Sequence, residues 1–579
     1  MPQVRLGQAP WRGLGYRKAA LERPAMPPSA TMIITNARIL TMDPDNPRAE
    51  AVALCHDRIL ALGTSADIAA QAGPGCTMID AGGASLLPGF IESHLHLFMG
   101  GSELSHLQLL GVEGPDQLGH AIRDYARAHP QRRVIVGQGC DYAIYGRALT
   151  RHDLDAILPD RPIILVAADH HTGWANTLAL TEAGILQGAT VGPGNEVVMG
   201  ADGLATGELR EFEAMAPVLR VAGEHRIMAG IATGFDPLPA PTQDDMMADL
   251  PAMLAGLAHC ARHGFTSLVN MDGNRYTLQV LDTLRQQGQL TARVRVPFHY
   301  RNTRIPADLA EASAMTRDYN DDWLSSGFVK MFMDGVIDSG TAVMLNDYPD
   351  QPGWRGDPLH EADRFAEICI EADRRGLQIA VHAIGDGAVR RVLDGYAAAR
   401  ATNGPRDARH RIEHIELIDR TDVPRLAELG VVASVQPSHV PGAMDFPPFP
   451  SLDKIGRPRW KDAFLTRTLA EAGAPIVFAS DWPVADINPL RSIQAALTRQ
   501  PFEGAQDERL TLHQVLAAYT IGGAYAEHTE DRKGMLHPGY LADLVLLDGD
   551  IEAVAPDRIA SLSVSRTICG GRTVWDAAI

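Results

Sequence analysis

The chain has 579 residues, too many for one ordinary domain, and is expected to divide into two or three structural units. Hydrophobic residues make up 45% and charged residues 21%, which are globular proportions, and 52 Lys and Arg against 71 Asp and Glu give a net charge of −19. That charge argues against nucleic acid or an anionic membrane as a partner, and the absence of any run of about 18 apolar residues argues against a transmembrane helix.

Residues 1–31 contain arginines and lack the apolar segment of a secretory signal, so they are expected to be a disordered extension or an over-extended start, with Met26 or Met32 as alternatives. From Met32 to about Ser85, short β-type runs alternate with turns (TMIITNARILTMD, AVALCHDRILALG, CTMIDAGGASLLPG), the pattern of a small antiparallel sheet. Two further β-type runs, LADLVLLDG and SVSRTICGGRTVW, close the chain. Each patch is too short for an independent domain, so 32–85 and 535–579 are expected to combine into one β-sandwich with a structural role.

Between them, residues 86–534 alternate β-type and helical stretches, the signature of a parallel α/β domain. The β-type runs are 84–92, 265–270, 293–299, 327–333, 377–383, 410–416, 431–437 and 475–481, separated by amphipathic segments such as EADRFAEICIEADRRG and VPRLAELG. Eight such runs predict a (β/α)8 TIM-type barrel, whose functional residues gather at the C-terminal strand ends. The interval 98–250 is too long for a barrel connection and has strand-like runs of its own (RVIVGQG, PIILVAAD), so it is expected to be a subdomain inserted after the first barrel strand.

The six cysteines are scattered without C-x-x-C spacing, which fits reduced thiols in a cytoplasm and leaves any metal to His and carboxylate ligands. Neither a G-x-S-x-G elbow nor a phosphate-binding loop occurs; the glycines of IGDGA read as loop geometry. The first predicted barrel strand ends in LLPGFIESHLH, where His94 and His96 at i and i+2 project from one side of an extended chain. At other strand ends stand Lys330, His382 in VHAIGDGA, His414 in RIEHIE and Asp481 in FASDWP. A barrel would gather these ends at one mouth, where four histidines and a carboxylate suit one or two borderline divalent ions, zinc first. Singly, His382 or His414 reads as a core histidine and Asp481 as a turn or cap; Lys330 inside an apolar strand is harder to dismiss, and coincidence at five strand ends is the weaker account.

The motifs PGFIESHLH (88–96), VKMFMDG (329–335), HAIGDGA (382–388), IEHIE (412–416), ASDWPV (479–484) and GYLADLVLLD (539–548) together resemble the amidohydrolase superfamily of metal-dependent hydrolases, in the branch holding N-substituted formamide deformylases. The resemblance implies a binuclear centre, two zinc ions by preference, with His94, His96 and Asp481 on one ion, His382 and His414 on the other, and Lys330 bridging them as a carbamate. An unmodified Lys330 beside a single ion is the alternative, since an ammonium cannot ligate a metal. The implied activity is hydrolysis of a non-peptide C–N bond (amide, N-formyl or N-acyl) by metal-activated hydroxide, with Asp481 as the proton carrier. Hydrolysis of an ester, lactone or carbamate is the runner-up, and a non-catalytic metal-binding regulator is a third reading.

Specificity is expected to reside in the insertion. Its run DHHTGWANTLAL (169–180) resembles a segment of that branch, so His171 is read as supporting the substrate oxygen and Trp174 as a pocket wall, against a reading in which Trp174 and Asn176 only anchor a helix start. His170 beside His171 departs from the branch's usual small residue and leaves open which imidazole faces the site. Asp334 and Asp386 either orient ligands or cap turns, and DGLATGELRE (202–211) is read as an entrance loop or lid. Phe446, Phe449 and Trp460 lie in or near a Pro-rich excursion that could form a pocket wall or an oligomer contact. The expected partner is a small-molecule amide-type substrate, with a homo-oligomer left open.

Overall fold

The computed structural model describes residues 29–167, 170–192, 195–444 and 451–579. The expectation for the N-terminal extension falls almost wholly outside the described residues, as do Phe446 and Phe449. The chain is a mixed α/β protein of two compact units; the described residues of one fall in 29–96, 257–272 and 285–579 and those of the other in 97–256 and 273–284. Among the described residues no helix is long and apolar enough to cross a membrane.

In the first unit the chain ends meet. One four-stranded sheet has the order Arg58–Gly63, Ala51–Cys55, Ala30–Thr35, Ala72–Asp80. A six-stranded sheet runs Arg572–Asp576, Val564–Cys569, Leu544–Leu547, Ser85–Pro88, Arg38–Leu40, Arg48–Ala49, so the C-terminal strands pair with N-terminal ones through the antiparallel register Leu544–Pro88, Val545–Leu87. Ile34, Leu54 and Ile79 of the smaller sheet share one hydrophobic cluster with Leu86, Leu544 and Ile568 of the larger. The pairing is not purely antiparallel as the sequence suggested: Ala30–Thr35 runs parallel to Ala72–Asp80. The short helix Ser65–Ala69, capped by Thr64 and anchored by buried Ile68, carries the chain across the sheet, the crossover that a parallel pair requires.

The remaining strands of this unit are parallel. Leu324–Ser325, Arg293–Arg295, Phe265–Asn270 and Phe90–Leu95 form a four-stranded sheet. A six-stranded sheet has the order Phe298–His299, Phe328–Phe332, Gln378–Ala383, Arg411–His414, Val432–Val435, Ile476–Phe478. An isolated parallel bridge, Leu95 to Trp482, links the last strand end of the second sheet to the first. The predicted run 293–299 is split between the two sheets at Val296-Pro297, because proline has no N–H to give a ladder. The run 84–92 is likewise divided: Ser85–Pro88 belongs to the terminal sheet and Phe90–Leu95 to the parallel one. The break falls at Gly89, where a Cβ would lie 2.2 Å from Thr266 Oγ1.

Helices follow where the apolar period is helical. In Ala362–Arg374 the buried residues Phe365, Ile368, Cys369 and Ala372 recur at three- and four-residue spacing along one face. The second unit is built on a mixed six-stranded sheet, Glu196–Met199, Ala205–Arg210, Thr172–Ala175, Ile163–Ala167, Ile135–Cys140, Leu107–Gln108. Most of the run 202–211 is therefore an interior strand of this sheet rather than a loop. Its side chains alternate in burial from Ala205 to Leu209, so one face packs into the unit's core.

Candidate metal centre

The strand Phe90–Leu95 is buried throughout, and His94 and His96 at its end are almost fully enclosed. Each imidazole is aimed by a carboxylate behind it. His94 Nδ1 donates to Glu413 Oε2 at 2.8 Å, and His96 Nδ1 donates to Asp272 Oδ2 at 3.0 Å. The other ring nitrogens converge on one oxygen, His94 Nε2 and His96 Nε2 lying 3.2 and 3.3 Å from Asp481 Oδ1. These are ion-pair distances, yet Asp481 Oδ1 makes no aligned hydrogen bond and is otherwise enclosed.

Asp481 reaches this position through a backbone turn at the strand end, with φ at 60°, held by its own N–H on the His94 carbonyl at 2.9 Å. His414 also ends its strand at positive φ, 79°, and Ile415 N–H returns to the Ala383 carbonyl. Non-glycine residues seldom adopt this conformation, and surrounding structure must hold them there. His414 Nδ1 donates to Gln436 Oε1 at 2.9 Å. A ligand atom each of His94, His414 and Asp481 lie within 4.8 Å of one another. The rings of His382 and His414 are 4.5 Å apart and those of His94 and His414 5.0 Å.

His382 Nε2 donates to the Gly335 carbonyl at 3.0 Å, which leaves Nδ1 as its ligand atom. Lys330 is fully buried on its strand, its Nζ lies 4.3 Å over the Phe332 ring, and no hydrogen-bond partner reaches it. Burial pushes the Lys330 amine down to about 8, opposed by Glu413, Asp481 and Asp272. A buried amine without a partner favours the neutral form, which is also the form that reacts with carbon dioxide.

Burial lowers His382 to about 3 and carries His414 well below the ordinary histidine value, so both are neutral, as metal ligation requires. For His96 burial is outweighed by the Asp272 carboxylate, which accepts from Nδ1, and by the nearby Asp481 carboxylate, which together raise it to about 9. Glu413 is held down to about 2: burial opposes ionisation, but Arg411, at 2.8 Å and itself fully enclosed, outweighs it. The same guanidinium donates to the Ser93 carbonyl and to Ser434 Oγ, so it ties three strands together beneath the histidines.

Sequence reasoning did not single out Glu413, Asp272, Gln436 or Arg411. Glu413 and Arg411 stand one and three residues before His414 in the quoted RIEHIE, and Asp272 and Gln436 just follow their strands; that proximity was the available signal. Asp334 accepts the backbone N–H groups of Val343, Ile384 and Gly385 and lies 3.7 Å from His382 Nε2. Burial still raises it to about 7. Asp386 accepts from Leu345 N–H and ties the same loop. The glycines of IGDGA permit that close packing, since a Cβ on Gly385 would sit 2.1 Å from the Val343 carbonyl oxygen.

His171 and Trp174 belong to the second unit. His171 Nδ1 pairs with Glu211 at 3.1 Å and the side chain is about one-third exposed. Trp174 is buried in its sheet with its ring edge-on to Tyr142, and Asn176 caps the helix Thr177–Glu182 by accepting from Ala179 N–H. Trp460 is half-buried and donates from Nε1 to the Leu452 carbonyl.

A family model described as "Amidohydrolase family" matches residues 77–575. The chain is 29% identical to "Protein LONG AFTER FAR-RED 3" of Arabidopsis thaliana, over 94% of this chain and 92% of that protein. It is 24% identical to an "N-substituted formamide deformylase" of Arthrobacter pascens, over 93% and 97% of the two chains. Its fold matches the crystal structure of an uncharacterized metal-dependent hydrolase from Pyrococcus horikoshii with a TM-score of 0.72 at 24% identity, covering 91% of this chain and 99% of that one.

Proposed function

The chain belongs to the amidohydrolase family, and from that premise we propose that it is a metal-dependent hydrolase cleaving a non-peptide C–N bond of a small molecule, an N-formyl, N-acyl or carbamoyl amide. The observation that carries this is the enclosed set of His94, His414 and Asp481, whose ligand atoms lie within 4.8 Å beside two buried polar atoms, Lys330 Nζ and Asp481 Oδ1, that no hydrogen bond satisfies. Buried polar atoms are normally paired; a divalent ion would satisfy the Asp481 oxygen, and Lys330 Nζ only as a neutral amine or once carboxylated.

In this reading His94, His96 and Asp481 would hold one zinc ion and His382 and His414 a second, and Lys330, its neutral amine taking up carbon dioxide and losing a proton, would supply a carbamate to the centre. Such ions supply a Lewis acid for the carbonyl and a nucleophile available at neutral pH. Glu413, Asp272 and Gln436 each engage Nδ1 of one imidazole, His94, His96 and His414 in turn, which leaves Nε2 of each free to ligate. Asp481, held ionised against burial by His94 and His96, accepts a proton from the nucleophile and returns it to the departing nitrogen. The two parallel sheets joined at Leu95 and Trp482 are read as the (β/α)8 barrel, the terminal sheets as a β-sandwich, and residues 98–250 as an insertion. Six unpaired thiols fit a cytoplasmic setting. His171 and Trp174 are the proposed substrate-binding residues, and His171→Ala should raise KM more than it lowers kcat.

The test is a panel of N-formyl and N-acyl amines set against matched esters, lactones and carbamates, run on protein of measured zinc content. The name of the Arthrobacter pascens relative puts N-formyl amines first. Turnover of amides that disappears on chelation and returns with zinc is the expected result. Ester turnover alone would move the reaction to the runner-up class, and a zinc-loaded protein inert toward the panel would refute the reading.

A further inference from the structure

His94 and Asp481 approach each other from segments of different sheets: His94 from the strand Phe90–Leu95, Asp481 from the stretch after Ile476–Phe478. Among the described residues no strand ladder joins these two segments, and the isolated bridge Leu95–Trp482 is their regular pairing. Its hydrogen bond runs from His96 N–H to the Trp482 carbonyl at 2.8 Å, and Asp481 N–H adds a second tie to the His94 carbonyl at 2.9 Å. A third tie is made by a side chain. Glu92 Oε1 accepts the N–H of His94 at 3.1 Å and the N–H of Ser480 at 3.0 Å, so one oxygen clips together two backbones 388 residues apart.

Both donors are backbone amides and the oxygen has two lone pairs, so these bonds stand whether or not the carboxyl is ionised. Glu92 is 0% exposed on a strand buried throughout, a place an apolar side chain ordinarily fills. An apolar side chain here would leave two buried N–H groups unpaired, which a folded chain seldom tolerates. The amides of Ser480 and Asp481 are consecutive, so Glu92 and the His94 carbonyl pin the chain where Asp481 turns to a φ of 60°, a conformation that needs outside support. Ser480 Oγ accepts from Trp482 N–H at 3.0 Å, which ties the turn to itself. Glu92 therefore acts on both sides of the 3.2 Å approach of His94 Nε2 to Asp481 Oδ1.

We propose that Glu92 is a positioning residue of the metal centre: its carboxyl oxygen sets the register and separation of His94 and Asp481 so that both reach one ion. The inference rests on the reading of these two residues as ligands of that ion. Glu92 itself acts only through the two backbones. The test is a titration of chelated full-length protein with cobalt(II), whose visible absorption reports the number and geometry of its ligands, and with zinc against a competing chelator. Glu92→Met, similar in length and without a comparable acceptor, should weaken metal binding by about 10–100-fold and alter the cobalt spectrum. Glu92→Gln keeps an oxygen for both N–H groups and places its nitrogen at Oε2, which accepts no hydrogen bond, so it should recover most of the affinity and the spectrum. Glu92→Met protein that melts lower after chelation yet keeps both affinity and spectrum would make Glu92 a stability residue alone and overturn the proposal. A Gln variant as impaired as the Met variant would also overturn it. Should Glu92→Met fail to fold, Glu92→Asp, shorter by one methylene, is read by the same two measures. Unaltered protein that takes up neither cobalt nor zinc would sink the metal centre itself and this inference with it, whereas normal uptake by the unaltered chain leaves the variants to decide Glu92 alone.

Discussion

Replacing Asp272 by Asn isolates what a carboxylate behind a ligand contributes. Asp272 Oδ2 accepts from His96 Nδ1 at 3.0 Å, and its other oxygen accepts from Asn270 Nδ2 at 2.8 Å, so the side chain is held from two sides and is buried. Asparagine keeps the shape and one acceptor but removes the charge. A buried hydrogen bond to a charged partner contributes about 1.5–3 kcal/mol and a neutral one about 1 kcal/mol, so about 0.5–2 kcal/mol is lost. That loss corresponds to about 2–30-fold in metal affinity, whose upper part overlaps the about 10–100-fold range for partners of metal-binding histidines. The assay is a competition of zinc-loaded protein with a graded chelator, reading retained metal by atomic emission, with a thermal melt of both chelated proteins as the control for folding. A midpoint shifted by about tenfold is expected. An unmoved midpoint with unchanged melting would show that His96 does not hold metal through this geometry.

Asp481→Asn should keep the fold and lower kcat by about 10²–10⁴ on whichever amide proves to be the substrate, as removal of a proton carrier does; near-normal turnover at full metal occupancy would sink that role. The chelated protein should melt at lower temperature as pH rises from about 6.5 to about 8. His96, raised to about 9 in the fold by Asp272 and Asp481 against burial, stabilises fully below its unfolded value of 6.5 and progressively less until it deprotonates. Zinc-loaded protein, with that imidazole neutral throughout, should lack the trend, and parallel curves would contradict the assignment. Gly89→Ala should destabilise the first unit by about 1–3 kcal/mol through overpacking, since the new methyl would lie 2.4 Å from Thr266 Cγ2; adding Thr266→Ser or Thr266→Ala should restore part of the loss.

Much of this protein is legible along the chain because strand ends advertise themselves locally. The apolar run before His94, the lone lysine in GFVKMFM and the aspartate closing PIVFASD each mark a strand by composition and alternation, and the structure puts His94 and Lys330 on parallel strands of one unit and Asp481 three residues past the end of another. The meeting of the two termini was also readable, since neither short β-patch can bury a face alone. Where the sequence misled, nonlocal pairing was responsible. Alternation shows that Ala30–Thr35 is a strand but says nothing of its direction relative to Ala72–Asp80, and the period-two pattern of 202–211 was overlooked under its flanking glycines. Asp272, Glu413 and Gln436 were passed over for a related reason: a carboxylate or amide near a strand end is a turn former, a surface charge or an imidazole's partner according to what packs against it. Sequence by itself thus determined which residues could ligate a metal and on which strands they ride. Only the tertiary structure decided which nitrogen each imidazole presents and which buried atoms it leaves unpaired, because those depend on hydrogen bonds between strands hundreds of residues apart.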